Sequence, residues 1–149
     1  MFRFGKQVES ALLALKALSD RSASGLSISE ICVKHGLSKN TLAKVMQSLH
    51  SAQIVGSFQG QKGGYRLQRG LAEISFFEVL AALGEIKKLH CSEHSNCSLA
   101  DNCSISSPLQ KWERKFEQQL KSTFLLELLC EDSKNHLVTQ EQGLETACL

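Results

Sequence analysis

Long apolar runs are missing from this 149-residue chain. No stretch approaches the roughly 20 apolar residues needed to cross a bilayer, which excludes a membrane-spanning helix at the level of sequence. The opening Met1-Phe2-Arg3-Phe4-Gly5-Lys6 leads into no apolar signal core with a small-residue cleavage site, so the expected location is the cytoplasm. Enzyme signatures are lacking too. There is no nucleophile with a nearby base, no phosphate-binding glycine loop and no paired acidic site, so the chain does not read as an enzyme. Proline occurs once, as Pro108.

What is present is an ordinary globular composition, 42% hydrophobic and 21% charged, in a chain long enough for one domain plus an appendage. The net charge of +2 conceals an asymmetry. Residues 1–90 carry 12 Lys/Arg against 6 Asp/Glu, and residues 91–149 carry 5 against 9. A basic first part with an acidic remainder suits a polyanionic partner for the first part only.

Six cysteines in a cytoplasmic chain do not read as a disulfide framework. Three of them, Cys91, Cys97 and Cys103, fall within thirteen residues, which favours metal ligation. Cys32 sits in an apolar helical run and reads as a small core residue. Cys130 ends an apolar run and reads as structural, and Cys148 lies in a polar tail.

Periodicity divides the chain into elements. Val8, Ala11, Leu12, Leu15 and Leu18 recur at helical spacing and predict a first amphipathic helix. Ser27-Ile28-Ser29-Glu30 has the spacing of a capping box, opening a second helix that stops near Gly36. Ser38 is the expected cap of a third helix from Lys39 to about Ala52, with Leu42, Val45, Met46 and Leu49 inward. Two extended segments follow, Ile54–Gln59 and Gly64–Gln68, joined by Gly60-Gln61-Lys62-Gly63 as a hairpin. Ser75-Phe76-Phe77-Glu78 is a second capping box. From about Leu89 to Ser107 the period disappears, and the cysteines are the natural organisers of that segment. Pro108, with Ser107 as the expected cap, starts a helix striped by Leu109, Trp112, Phe116 and Leu120. Ser122-Thr123 is expected to interrupt it before Phe124–Cys130.

This order describes a mainly α fold: a winged helix-turn-helix with a two-stranded wing and a long carboxy-terminal dimerisation helix. The expected division is a DNA-binding domain over 1–88, a cysteine-bearing loop over 89–107, a dimerisation region over 108–130 and a disordered tail over 131–149. In such a fold the third helix enters the major groove and the wing touches flanking backbone or minor groove. Ser38, Lys39, Asn40, Thr41, Lys44 and Gln47 are the candidate contacts on the helix, and Gln61, Lys62 and Arg66 those on the wing. The lysines suit phosphates, and the amides of Asn40 and Gln47 suit base edges.

Ile28-Ser29-Glu30-Ile31, Gly36-Leu37-Ser38, the wing Gly60-Gln61-Lys62-Gly63-Gly64-Tyr65-Arg66-Leu67 and the spaced cysteines together resemble the iron–sulfur winged-helix regulators that include the IscR, NsrR and RirA repressors. The resemblance runs from about Phe4 to Cys130. It implies a homodimer held by the helix from Pro108 to Leu120, a palindromic operator in double-stranded DNA, and one cluster per subunit. Ala43-Lys44 stands where members commonly have Glu-Gln, and Gln59 where they have Arg.

Five residues separate each of the three cysteines from the next. Structural zinc favours tighter cysteine pairs, whereas iron–sulfur clusters take thiolates from loops and accept a non-thiol ligand. The resemblance implies a fourth ligand from one of two places: a His three residues after the last cysteine, where this chain has Ser106, or a first-helix carboxylate of the other subunit, matched by Glu9. The expectation is a 4Fe–4S cluster on Cys91, Cys97, Cys103 and Glu9, with 2Fe–2S next and His90 and His94 as rival ligands. A thiol–disulfide sensor on the same cysteines and a zinc-stabilised interaction module remain as alternatives.

Overall fold

A computed structural model of the chain describes residues 4–21, 25–59, 63–86 and 103–130. Helix α1 (Lys6–Ser19) forms where the apolar residues recur, and Val8, Ala11, Leu15 and Leu18 are all buried. Helix α2 (Ile28–His35) opens on the full capping box: the Ser27 hydroxyl accepts from the Glu30 amide, and the Glu30 carboxylate accepts from the Ser27 amide at 2.8 Å. It ends at Gly36 in the left-handed conformation (φ 65°), which a residue with a Cβ adopts only under strain. Helix α3 (Lys39–Ser51) follows the Leu37-Ser38 link and buries Leu42, Val45, Met46 and Leu49. Ser38 holds the cap position, but its hydroxyl makes no capping bond.

Strands β1 (Val55–Phe58) and β2 (Gly64–Leu67) pair antiparallel, with Val55 opposite Leu67 and Phe58 opposite Gly64. Leu26 adds a bridge on the outer side of β2, exchanging backbone hydrogen bonds with Tyr65 at 2.9 and 2.8 Å. The hairpin is therefore stitched to the chain just ahead of α2. That close approach needs glycine: a Cβ on Gly64 would lie 2.5 Å from the Leu26 carbonyl oxygen.

Helix α4 (Phe76–Ala82) opens on the second capping box, Ser75 with Glu78. Helix α5 (Ser106–Ser122) and the short α6 (Leu125–Cys130) break at Thr123, which is extended and whose hydroxyl donates to the Gln119 carbonyl at 2.9 Å. Two expectations are corrected here. Ile105, not Ser107, caps α5, so Pro108 is its third residue. The first-turn amides have no acceptor within a helix, so a proline anywhere in that turn costs no bond and does not mark the first residue. Cys130 is exposed rather than structural, because α6 buries Leu125 completely and little else.

One hydrophobic core joins α1 to α4, and Leu120 and Leu125 enter it from the carboxy-terminal helices. Cys32 belongs to it, as its sequence context predicts. Backbone hydrogen bonds lock the two parts together: Phe76 N to Thr123 O at 2.8 Å, Leu125 N to Ile74 O at 2.9 Å and Leu126 N to Leu71 O at 3.1 Å. Among the described residues no helix is long and apolar enough to cross a membrane.

Candidate nucleic-acid interface and cysteine site

Helix α3 buries one stripe and so presents the opposite one. Asn40, Lys44 and Gln47 lie at successive turns on that outer face, all exposed, with Lys39 and Ser38 exposed at the helix start and Thr41 half-buried. Among the described residues, no hydrogen bond or ion pair engages the side chains of Lys39, Asn40, Thr41, Lys44 or Gln47. The helix carries no acidic residue, so nothing on it opposes approach of a phosphate backbone.

Arg66 stands exposed on β2, paired in register with Gly56, and has no ion-pair partner among the described residues. Arg69 is different: its guanidinium lies 2.7 Å from the Glu78 carboxylate and is committed to the α4 cap. Burial opposes ionisation of Glu78, but the Ser75 amide, the Arg69 guanidinium and the Ser75 hydroxyl together hold its pKa below the ordinary value. Gln61 and Lys62 lie outside the described residues.

One contact at this face was missed by sequence reasoning. His50 Nε2 lies 3.4 Å from Ser57 Oγ, tying the last turn of α3 to β1. Gln53 makes the turn between them with φ 57°, a left-handed conformation unusual for a residue other than glycine. An Ala-Gln pair there offered no glycine to mark the turn.

The cysteine site is partly in view. Cys91 and Cys97, with His90 and His94, lie outside the described residues. Cys103 is a free, half-buried thiol just ahead of the Ile105 cap of α5. Glu9 sits in the first turn of α1, exposed, and its carboxylate has no partner among the described residues. Within the chain no bond joins Glu9 to Cys103. The Ser106 hydroxyl accepts from the Gln110 amide at 3.3 Å, an interaction internal to α5. A free thiol and an unengaged carboxylate are chemically suited to iron ligation.

Behind Cys103, α5 exposes an apolar stripe. The Trp112 and Phe116 rings stack with centroids 5.4 Å apart and planes within 4°. They remain 53% and 39% exposed, and Leu120 alone on this helix is buried. Both rings are thus partly open to solvent on the outer side of α5.

The fold is similar to that of three solved regulators. The IscR of T. potens matches with a TM-score of 0.62 at 22% identity, covering 98% of this chain and 94% of that one. CymR, the global cysteine regulator of B. subtilis, matches with a TM-score of 0.60 at 20% identity, over 86% of this chain and 96% of that one. Staphylococcus aureus CymR gives a TM-score of 0.62 at 21% identity, over 83% and 95%. The family model described as Rrf2, iron-dependent transcriptional regulator, matches residues 4–131. Regulators of this type bind DNA and typically act as dimers. With an unengaged basic and amide face on α3, a stitched wing and a family match over nearly its whole length, the chain belongs to the Rrf2 family of transcriptional regulators.

Proposed function

We propose that the chain is a cytoplasmic, homodimeric repressor whose hold on a palindromic operator is set by an iron–sulfur cluster on Cys91, Cys97 and Cys103, with Glu9 of the other copy as fourth ligand. In this reading residues 1–88 bind DNA, 89–107 carry the cysteines and 108–130 form the dimer contact. The observation that carries it is the position of Cys103: a free thiol immediately precedes a helix whose aromatic stripe is uncovered. Ligation at that thiol therefore acts at the entrance to the surface proposed to join two copies.

The residues divide the work. Lys39, Lys44, Lys62 and Arg66 neutralise phosphates, while Ser38, Asn40, Thr41, Gln47 and Gln61 supply neutral hydrogen-bonding groups at the duplex. The α5 stripe, Leu109, Trp112 and Phe116, packs against its copy. When bound, a cluster supplies a centre that reacts with nitric oxide or oxygen and is lost under iron limitation. Glu9 would serve as a single hard ligand among thiolates, the one non-thiol group in the set. Operator half-sites lie about 34 Å apart, so a small rotation between two copies is enough to prevent both α3 helices from engaging together.

A thiol–disulfide switch among the same cysteines is the second reading, favoured by the similarity to CymR, itself a cysteine regulator. Purification without oxygen separates the readings. Coloured protein holding iron and sulfide, with operator affinity that changes on exposure to nitric oxide or a chelator, is the expected result. Iron-free, colourless protein with reactive thiols supports the switch, and bound zinc without DNA affinity supports an interaction module. Equal affinity with and without cluster removes the proposed control.

A further inference from the structure

The outward face of α3 carries two carboxamides and no arginine. Asn40 and Gln47 stand seven residues apart on the same side, with Lys44 between them and exposed Ala43 alongside. Leu42, Val45, Met46 and Leu49 take the opposite side into the core. Neither carboxamide has a hydrogen-bond partner among the described residues, so each reaches solvent with donor and acceptor free.

A carboxamide offers one donor beside one acceptor. In the major groove adenine presents the complement, N7 accepting and N6 donating, whereas guanine presents two acceptors that suit guanidinium or ammonium groups. Cytosine is read by a carboxylate, and α3 has none. The methyl of Ala43 suits the thymine methyl of the same pairs. Seven residues of α-helix span about 10.5 Å, close to three base steps of roughly 3.4 Å.

From these facts we infer that Asn40 and Gln47 make the half-site selective for two A·T pairs about three base pairs apart, each adenine taken by one carboxamide. Lys44, one turn from each, serves the phosphates or the position between. The inference rests on the DNA-binding reading above and adds to it the chemistry of the bases chosen.

The test is selection of bound duplexes from a randomised pool by the full-length protein, both as prepared without oxygen and after treatment with a chelator. Expected is enrichment of A·T at two positions about three apart in each half-site. Replacement of either by G·C should weaken binding roughly tenfold or more. Asn40→Ala should remove the preference at one position and Gln47→Ala at the other, and Gln47→Arg should turn its position toward guanine. Melting curves confirm that each variant is folded. Sequence-specific binding with G·C at both positions, or preferences unmoved by these substitutions, overturns the inference while sparing the function. Failure to bind any duplex in either form overturns both.

Discussion

Ser75 and Phe124 face one another across an isolated antiparallel bridge, which fastens the cap of α4 to the break between α5 and α6. Ser75 also heads a capping box, so one residue joins a helix start, a loop and a distant helix junction. The Lys121 ammonium, 4.8 Å above the Phe77 ring, closes the same seam from the α5 side.

The capping box makes stability at this seam depend on pH. The Glu78 pKa lies below that of an ordinary glutamate, so its contribution is present above the ordinary value and is lost as pH falls through the lower folded one. Glu78→Gln should cost about 1 kcal/mol near neutral pH, a few degrees in Tm for a chain of this size. Thermal melts of both proteins should converge as the solution is acidified below the carboxylate range. A difference that stays constant down to pH 3 would show that the charge is irrelevant there.

Trp112 and Phe116 offer a separate handle, since both lie outside the core. Trp112→Glu with Phe116→Glu should leave helix content unchanged and yield monomers in sedimentation at concentrations where the parent is dimeric. Affinity for a duplex with two half-sites should then fall on the order of 100-fold, through loss of simultaneous engagement. A double variant that still sediments as a dimer places the contact elsewhere.

Gly25 tests the base of the wing. Its φ is +63°, and a Cβ there would strike the Phe58 ring and lie 2.8 Å from the Tyr65 carbonyl oxygen. Gly25→Ala should therefore lose about 1–3 kcal/mol, whereas Gly70→Ala, with its nearest atom at 4.0 Å, should be close to neutral. Denaturation midpoints decide the matter. Equal midpoints for the two variants would mean that the Leu26–Tyr65 stitch tolerates slack.

The contrast between what was legible and what was not follows sequence distance. Both capping boxes, the Gly36 stop and the inward stripe of α3 depend on residues three or four apart, and each was readable as a local pattern. The Leu26–Tyr65 and Ser75–Phe124 bridges are backbone pairings between distant segments, and no side-chain pattern announces them. The His50–Ser57 side-chain contact spans only seven residues, but it depends on the Gln53 turn, which no glycine marked. Cys130 was misread because an apolar run has two sides, and Leu125, with half-buried Leu129, takes the inner one. At the candidate site, the α3 face was legible from helical spacing, whereas the commitment of Arg69 to Glu78 required knowing that β2 ends beside α4.

The main-chain links from residues 71–76 to 123–126 also determine where this molecule tolerates change. The connection between α4 and α5 is held at both ends, by Val79 and Leu80 in the core on one side and by Leu120 and Thr123 on the other. Closing such a connection costs only slightly more as it lengthens. Insertions in that connection ahead of α5 leave both anchors in place, so its length is free to vary without rebuilding the core.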